Sequence, residues 1–362
     1  MRVLFTTTPG RGHYLAMTPL AAACRERGHE VLWATAEAAC EGLRARGFEA
    51  VAAGLPEGAT SGGRIFPDRA GPMLEQLLPV VRDWEPSLLV CDGVEYAGPI
   101  AAALAGVPNA THAFGSPMPQ ATIDDAAQAM APIWRAHGLE PAPHAGLFEH
   151  VYLDIYPRSL QASGVPAGTT VQPMRPAPVA TPVPDRDVPL VYVTFGTVFG
   201  RDLSGHRTVL EGIADLPVKV LVTLGPDAEP AGLGDQPPNV EIAEFVPQAE
   251  ILPRAAAVVS HAGSGTFLAA LAAGLPQLLL PQGADQFRNA AAGTAAAAAI
   301  GIDPEAVDAA AVRQALLRLL DEPGYAAAAA RVQSEIRAMP AHGEVIAELE
   351  RLTDRRPVTI HP

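Results

Sequence analysis

The chain has 362 residues, 49% of them hydrophobic and 18% charged, with a formal net charge of −14; this size suits two ordinary domains better than one. Such acidity argues against general nucleic-acid binding, because a polyanion needs a basic face, and an anionic ligand must then be held by local dipoles. The odd set Cys24, Cys40 and Cys91 lacks metal spacing and reads as reduced thiols of a cytoplasmic protein; no cleavable leader precedes the strand-like residues after Arg2, and no apolar run reaches the ~20 residues of a membrane span.

In chain order, the first half alternates short apolar strands (3–7, 30–34, 49–53, 87–91, 109–113) with amphipathic helices, the first of them closed near Gly28. This βαβ rhythm predicts an α/β domain with a parallel, doubly wound sheet over residues 1–172. A proline-rich stretch, 173–189, cannot be helix and predicts an extended linker. The alternation restarts over 190–341, with strands at 190–195, 219–223, 240–245, 257–260 and 277–280. Helices are expected from about Pro304 to Leu352, with 342–362 as a C-terminal helix and tail. The alanine run 295–299 reads as helix. Two Rossmann-like halves place ligands beyond the carboxyl ends of their strands and put a reaction in the cleft between them.

The loops after those strands carry the polar chemistry. Gly10-Arg11-Gly12-His13 is half of a dinucleotide fingerprint. Its third glycine is replaced by Leu15 and no acidic residue ends the second strand, so a nicotinamide cofactor is discounted. His13 remains at the mouth of the expected cleft, suited to take a proton from a hydroxyl near neutral pH or to pack the helix start. Asp92 closes an apolar strand in the same half; it can orient His13 or cap the next helix.

In the second half, Gly196-Thr197 follows the first strand, where a hydroxyl can meet a phosphate. Phe245-Val246-Pro247-Gln248 leaves backbone groups near Val246 free for a base edge, since Pro247 keeps Val246 extended. His261, Gly263, Ser264, Gly265 and Thr266 open a helix; backbone N–H groups, two hydroxyls and the positive dipole end suit a diphosphate. Asp285 and Gln286 offer a carboxylate and an amide to vicinal hydroxyls. Phosphate in one loop and polyol in the next describe a nucleotide sugar. Asp185 and Asp187 match a metal-dependent D-x-D pattern but fall inside the linker and read as solvated; no other cluster has metal-ligand spacing.

Together these segments resemble the family 1 glycosyltransferases of the GT-B fold, and more closely the actinobacterial transferases that decorate antibiotics and other natural products. G-x-G-H, F-V-P-Q, H-x-G-S-G-T and G-L-P-Q-x-L-L-P-Q-G-A-D-Q-F occur in the family's order, and the likeness covers nearly the whole chain. The resemblance implies His13 as general base and Asp92 as its orienting carboxylate. It places His261, Gly263, Ser264, Gly265, Thr266 and Thr197 at the diphosphate, Val246 and Gln248 at the base, and Asp285 and Gln286 at the sugar. It implies an inverting single displacement with no metal; no cofactor is expected beyond the nucleotide-sugar donor, the acceptor is expected to be a small molecule, and a homodimer is left open. Many UDP-sugar relatives carry a Glu three positions beyond the residue matching Thr266. Here that position is Ala269, which points to dTDP; the sugar transferred is expected to be a deoxysugar. Residues 55–68, which shape the acceptor pocket in such enzymes, are short and glycine-rich. Two other classes share this donor architecture: a sugar-nucleotide epimerase, which would need acid/base groups in the donor half, and a non-catalytic helper of a partner transferase, which would not need an intact His13, His261, Asp285 and Gln286.

Overall fold

The computed structural model describes residues 1–56, 58–59, 66–176, 188–196, 203–225 and 230–354. Two compact units emerge: Met1–Ile155, Ser163–Arg175 and Pro340–Pro362 form the first, Tyr156–Ala162 and Pro176–Met339 the second.

In the first unit the strands are β1 (Arg2–Thr6), β2 (Glu30–Thr35), β3 (Glu49–Ala52), β4 (Leu88–Asp92), β5 (Asn109–His112), β6 (Val151–Asp154) and β7 (Val171–Pro173). Between β1 and β6 run α1 (Arg11–Glu26), α2 (Glu37–Arg44), α3 (Pro67–Trp84), α4 (Ala97–Ala105) and α5 (Gln120–Ala136), as neighbouring parallel strands need a crossover. The sheet is wholly parallel in the order β3-β2-β1-β4-β5-β6-β7 among the described residues. Strands covered on both faces read as apolar runs; Val3, Leu4, Phe5 and residues 88–91 are accordingly buried. Trp33 stacks on Phe5 with ring centroids 4.8 Å apart. The helix end expected at Gly28 is met one residue past the cap: Arg27 caps α1 and Gly28 takes φ +88°, a left-handed turn that glycine makes without steric cost. Strand order reverses between β1 and β4, so the loops after Thr6 and Asp92 open beside each other, where doubly wound sheets bind ligands.

The second unit repeats the plan with β8 (Leu190–Thr194), β9 (Lys219–Thr223), β10 (Val240–Ala243), β11 (Ala257–Ser260), β12 (Gln277–Leu279) and β13 (Ala299–Gly301). Their order is β10-β9-β8-β11-β12-β13, again all parallel among the described residues. The helices are α6 (Ser204–Ile213), the one-turn α7 (Gln248–Ile251), α8 (Ser264–Ala272), α9 (Gln286–Ala295), α10 (Ala309–Asp321) and α11 (Pro323–Ala338). Val191, Val193, Val220, Val222, Val259 and Leu278 form the core under α6 and α10. The reversal falls between β8 and β11, bringing the loop at Gly196 beside the loop at His261. Segment 156–162 is built into this unit: the Tyr156 ring stacks near Phe267 with centroids 6.3 Å apart, and Ser159 binds Glu335 through its N–H at 3.0 Å and its hydroxyl.

The last described helix, α12 (His342–Asp354), returns to the first unit and packs on α1. It buries Val345, Ile346 and Leu349. Its Glu350 meets Arg27 and His29, each at 3.1 Å.

Three strands were not anticipated. β6 and β7 extend the first sheet, and Pro173 ends β7, the edge strand, where a missing N–H is tolerated. β13 corrects the reading of 295–299 as helix: α9 stops at Ala295, Ala297 takes φ +55°, and Ala299 pairs with Gln277. Phe245 lies beyond the end of β10 and is 65% exposed. Residues 177–187 of the expected linker, with Asp185 and Asp187, lie outside the described residues, as does Thr197.

Candidate active site

In the first unit the site grows from the β1 and β4 loops. His13 occupies the first turn of α1, and its Nδ1 lies 2.9 Å from Oδ2 of Asp92 at the end of β4. Asp92 is 1% exposed, and the Thr8 hydroxyl donates to the same oxygen at 3.1 Å. Burial pushes the Asp92 carboxyl upward, but the attraction and hydrogen bonding of His13 and Thr8 outweigh it, so its pKa falls below the ordinary value. Asp92 therefore stays ionised at neutral pH. A carboxylate at Nδ1 fixes the tautomer that leaves Nε2 as the basic nitrogen. Phe114 and Phe66 flank the imidazole, with centroids 4.8 and 5.7 Å away. Gly10 is demanded by the same ring: a Cβ there would come 2.9 Å from its Cδ2. Next to this pair is a carboxyl that the sequence did not flag. Glu95 is 2% exposed; it accepts from the Thr6 hydroxyl and from the N–H groups of Ala97 and Gly98. Burial raises its pKa to about 7 against the pull of those donors. It caps α4, the role Asp92 was also open to.

In the second unit the loop read as a diphosphate site does open a helix. Gly263 is the N-cap of α8 and Ser264, Gly265 and Thr266 form its first turn, whose N–H groups have no acceptor within the helix. A Cβ at Gly265 would meet nothing within 4 Å, so the first turn is open at that position. His261 is 9% exposed, and its ring fills the room left by two glycines. A Cβ at Gly196, itself at φ +71°, would come 2.7 Å from Cε1, and one at Gly263 would collide with Nε2. Burial pushes the His261 pKa down to about 4, so the ring is a neutral hydrogen-bonding group at pH 7, and positive potential falls to the helix. Ala262 is fully buried at φ +66°, a conformation that strains a non-glycine backbone and clusters at functional sites.

Gln248, at the start of α7, donates to Thr266 Oγ1 at 2.9 Å, tying the F-V-P-Q segment to α8. Val246 is half-buried against the cluster containing Tyr192 and Val258, and Ala269 packs on that same cluster. Asp285 takes the Ser264 hydroxyl at 2.5 Å on Oδ2. Gln286 is 2% exposed, and its Oε1 accepts from the N–H groups of Gln282 and Gly283 at 2.7 and 3.1 Å. Its carboxamide oxygen thus shapes the loop. Sequence reasoning missed Asn289, which binds this loop, and Tyr156, which binds Asn289. Position was the available signal for the first: Asn289 follows Asp285 by one helical turn.

Comparison with known proteins converges with this geometry. The family described as erythromycin biosynthesis protein CIII-like matches in two parts, its N-terminal domain over residues 58–179 and its C-terminal domain over 207–352. An elloramycin glycosyltransferase of Streptomyces olivaceus is 33% identical over 96% of this chain and 97% of its own. The aclacinomycin-T 2-deoxy-L-fucose transferase of Streptomyces galilaeus is 28% identical over 98% and 96%. The crystal structure of glycosyltransferase VinC in complex with dTDP superposes with a TM-score of 0.83 at 27% identity, covering 98% of this chain and all of that one. Two parallel Rossmann-like units carrying these loops define a glycosyltransferase of GT-B fold. The chain belongs to the erythromycin biosynthesis protein CIII-like family of actinobacterial antibiotic glycosyltransferases.

Proposed function

We propose that the enzyme transfers a deoxysugar from dTDP to a hydroxyl of a small apolar natural product, in one inverting displacement without metal or cofactor. The observation that carries the reading is the His13–Asp92 pair, 2.9 Å apart over a buried carboxylate. Nε2 of His13 takes the acceptor proton as the oxygen attacks the anomeric carbon, and Asp92 stabilises the imidazolium that forms. The α8 N-terminus and the neutral His261 receive the charge of the departing diphosphate. Asp285 and the Gln286 NH2 hold the sugar hydroxyls, and Phe245, 65% exposed beside the Gln248 segment, offers a face on which the base stacks. A direct attack opposite the leaving group inverts the anomeric centre.

Support for dTDP comes from Ala269 and from the relative crystallised with that nucleotide. Ala269 has no acceptor for a ribose diol, so the 2′-hydroxyl of UDP would gain nothing there. Buried without a partner it costs roughly 1–3 kcal/mol. The name of the 2-deoxy-L-fucose transferase supports a deoxysugar. Cys24, Cys40 and Cys91 are buried free thiols, which suits a cytoplasmic enzyme; among the described residues no helix is long and apolar enough to cross a membrane.

The test is competition of dTDP against UDP, with Ala269→Glu alongside. Wild type should prefer dTDP and the variant should move toward UDP; a wild-type preference for UDP sinks the donor assignment. EDTA should leave turnover unchanged. Loss of activity restored by Mg²⁺ or Mn²⁺ would refute the metal-free displacement. Product analysis with donor alone separates transfer from epimerisation.

A further inference from the structure

Asn289 is wholly buried, and a buried primary amide must satisfy both its N–H groups and its oxygen. Here Nδ2 reaches Ala262 O at 2.9 Å, Ser264 Oγ at 3.0 Å and Asp285 Oδ2 at 3.1 Å. Its Oδ1 accepts from the Tyr156 hydroxyl at 3.0 Å. That hydroxyl decides which way the amide faces, because it has a proton to give and the three opposite atoms need one. One side chain therefore touches the strained turn after β11, the first turn of α8 and the carboxylate that opens α9. Ser264 adds its own proton to Asp285 Oδ2, so both groups hold the same oxygen and neither engages Oδ1.

We infer that Asn289, oriented by Tyr156, is a positioning residue for the donor sugar. It holds Asp285 by Oδ2 so that Oδ1 faces the sugar hydroxyls. The inference rests on the reading of Asp285 as a sugar contact. It makes a chemical demand that packing alone would not: position 289 must donate. An aspartate there is nearly isosteric but places a second carboxylate against the first. Like charge and burial raise the pKa of such a pair, and below that pKa the shared proton restores a donor.

The experiment measures affinities of dTDP and dTDP-glucose, with UDP and UDP-glucose in parallel, for Asn289→Asp, Tyr156→Phe and Asp285→Asn between pH 6 and 8, with Tm beside them. At pH 8, Asn289→Asp should weaken the nucleotide sugar roughly 10- to 100-fold, the scale of hydrogen bonds to a charged group, and clearly more than it weakens the free diphosphate, whose Ser264 turn the same side chain touches. The loss should shrink toward pH 6. Tyr156→Phe should weaken the nucleotide sugar less and without recovery at low pH. Equal losses for diphosphate and nucleotide sugar, with a wild-type pH profile, would make Asn289 a packing residue and overturn the inference. If Asn289→Asp does not fold, Tyr156→Phe decides: unchanged nucleotide-sugar affinity rejects the role. If Asp285→Asn leaves sugar affinity intact, the reading of Asp285 has failed, whatever the Asn289 variants do.

Discussion

At the scale of single residues, the proposed chemistry separates the two units. His13→Ala should cut turnover ~10²–10⁴-fold, the usual cost of losing a general base, while nucleotide-sugar affinity stays near wild type. Asp92→Asn should cost less, because an amide can still receive the Nδ1 proton but cannot stabilise the imidazolium as a charge does. Full activity in His13→Ala would remove the imidazole from the mechanism, and strictly additive losses in the double variant would mean that the two act independently. Asp92 was legible because it ends an apolar run with a polar residue, and His13 because it follows the Gly10–Gly12 half-fingerprint after the first strand. Glu95 was not, because an acid two residues before a helix looks the same in sequence whether it is solvated or sealed in the core.

At the scale of elements, the α8 entrance is open to a direct test. Gly265→Ala meets no protein atom within 4 Å, so Tm should hold. The added methyl stands in open space at the first turn, and on the proposed diphosphate site affinity for the diphosphate should fall. His261→Ala should also weaken the diphosphate, by roughly 10-fold or more for a hydrogen bond to a charged group. Undiminished binding of dTDP or UDP by both variants would show that phosphate sits elsewhere. Strands sealed on both faces announced themselves as valine and leucine runs. β13 did not, because Ala299 follows four alanines that suit a helix equally well. β7 did not, because an edge strand of three residues ending in Pro173 carries neither a run nor an alternation. The Tyr156–Asn289 bond joins residues 133 positions apart, and no local pattern encodes such a pairing.

At the scale of the molecule, each unit contains a buried histidine kept neutral. His112 and His261 both have pKa values pushed down to about 4, chiefly by burial. The unfolded chain therefore binds these protons first. Stability is full above the ordinary histidine pKa and falls as pH drops toward 4. Between pH 7 and 5 the loss should be about 2 kcal/mol for each ring; His342, also pushed down to about 4 by burial, adds with the same sign, and Glu95, raised to about 7, partly offsets them because the folded chain binds its proton first. Asp92, with its lowered pKa, loses its contribution only at lower pH. Urea midpoints measured across this range should decline, and the decline should be shallower in His112→Gln. Parallel slopes in variant and wild type would exclude the buried ring as the source.

The return of α12 to the unit that holds β1 makes most of the second unit an insertion within the first. The chain leaves at Arg175 and comes back at Pro340, and the Arg175 N–H donates to Pro340 O at 3.0 Å. Exit and re-entry are thus pinned together like the two ends of a cassette. On the proposed function, exchanging this cassette with a relative at those two junctions should transplant donor recognition while leaving His13 and Asp92 in their own scaffold. The excursion Tyr156–Ala162 lies outside the junctions and belongs to the cassette in space. A recombinant that leaves it behind must recreate the Tyr156–Asn289 bond across two parents.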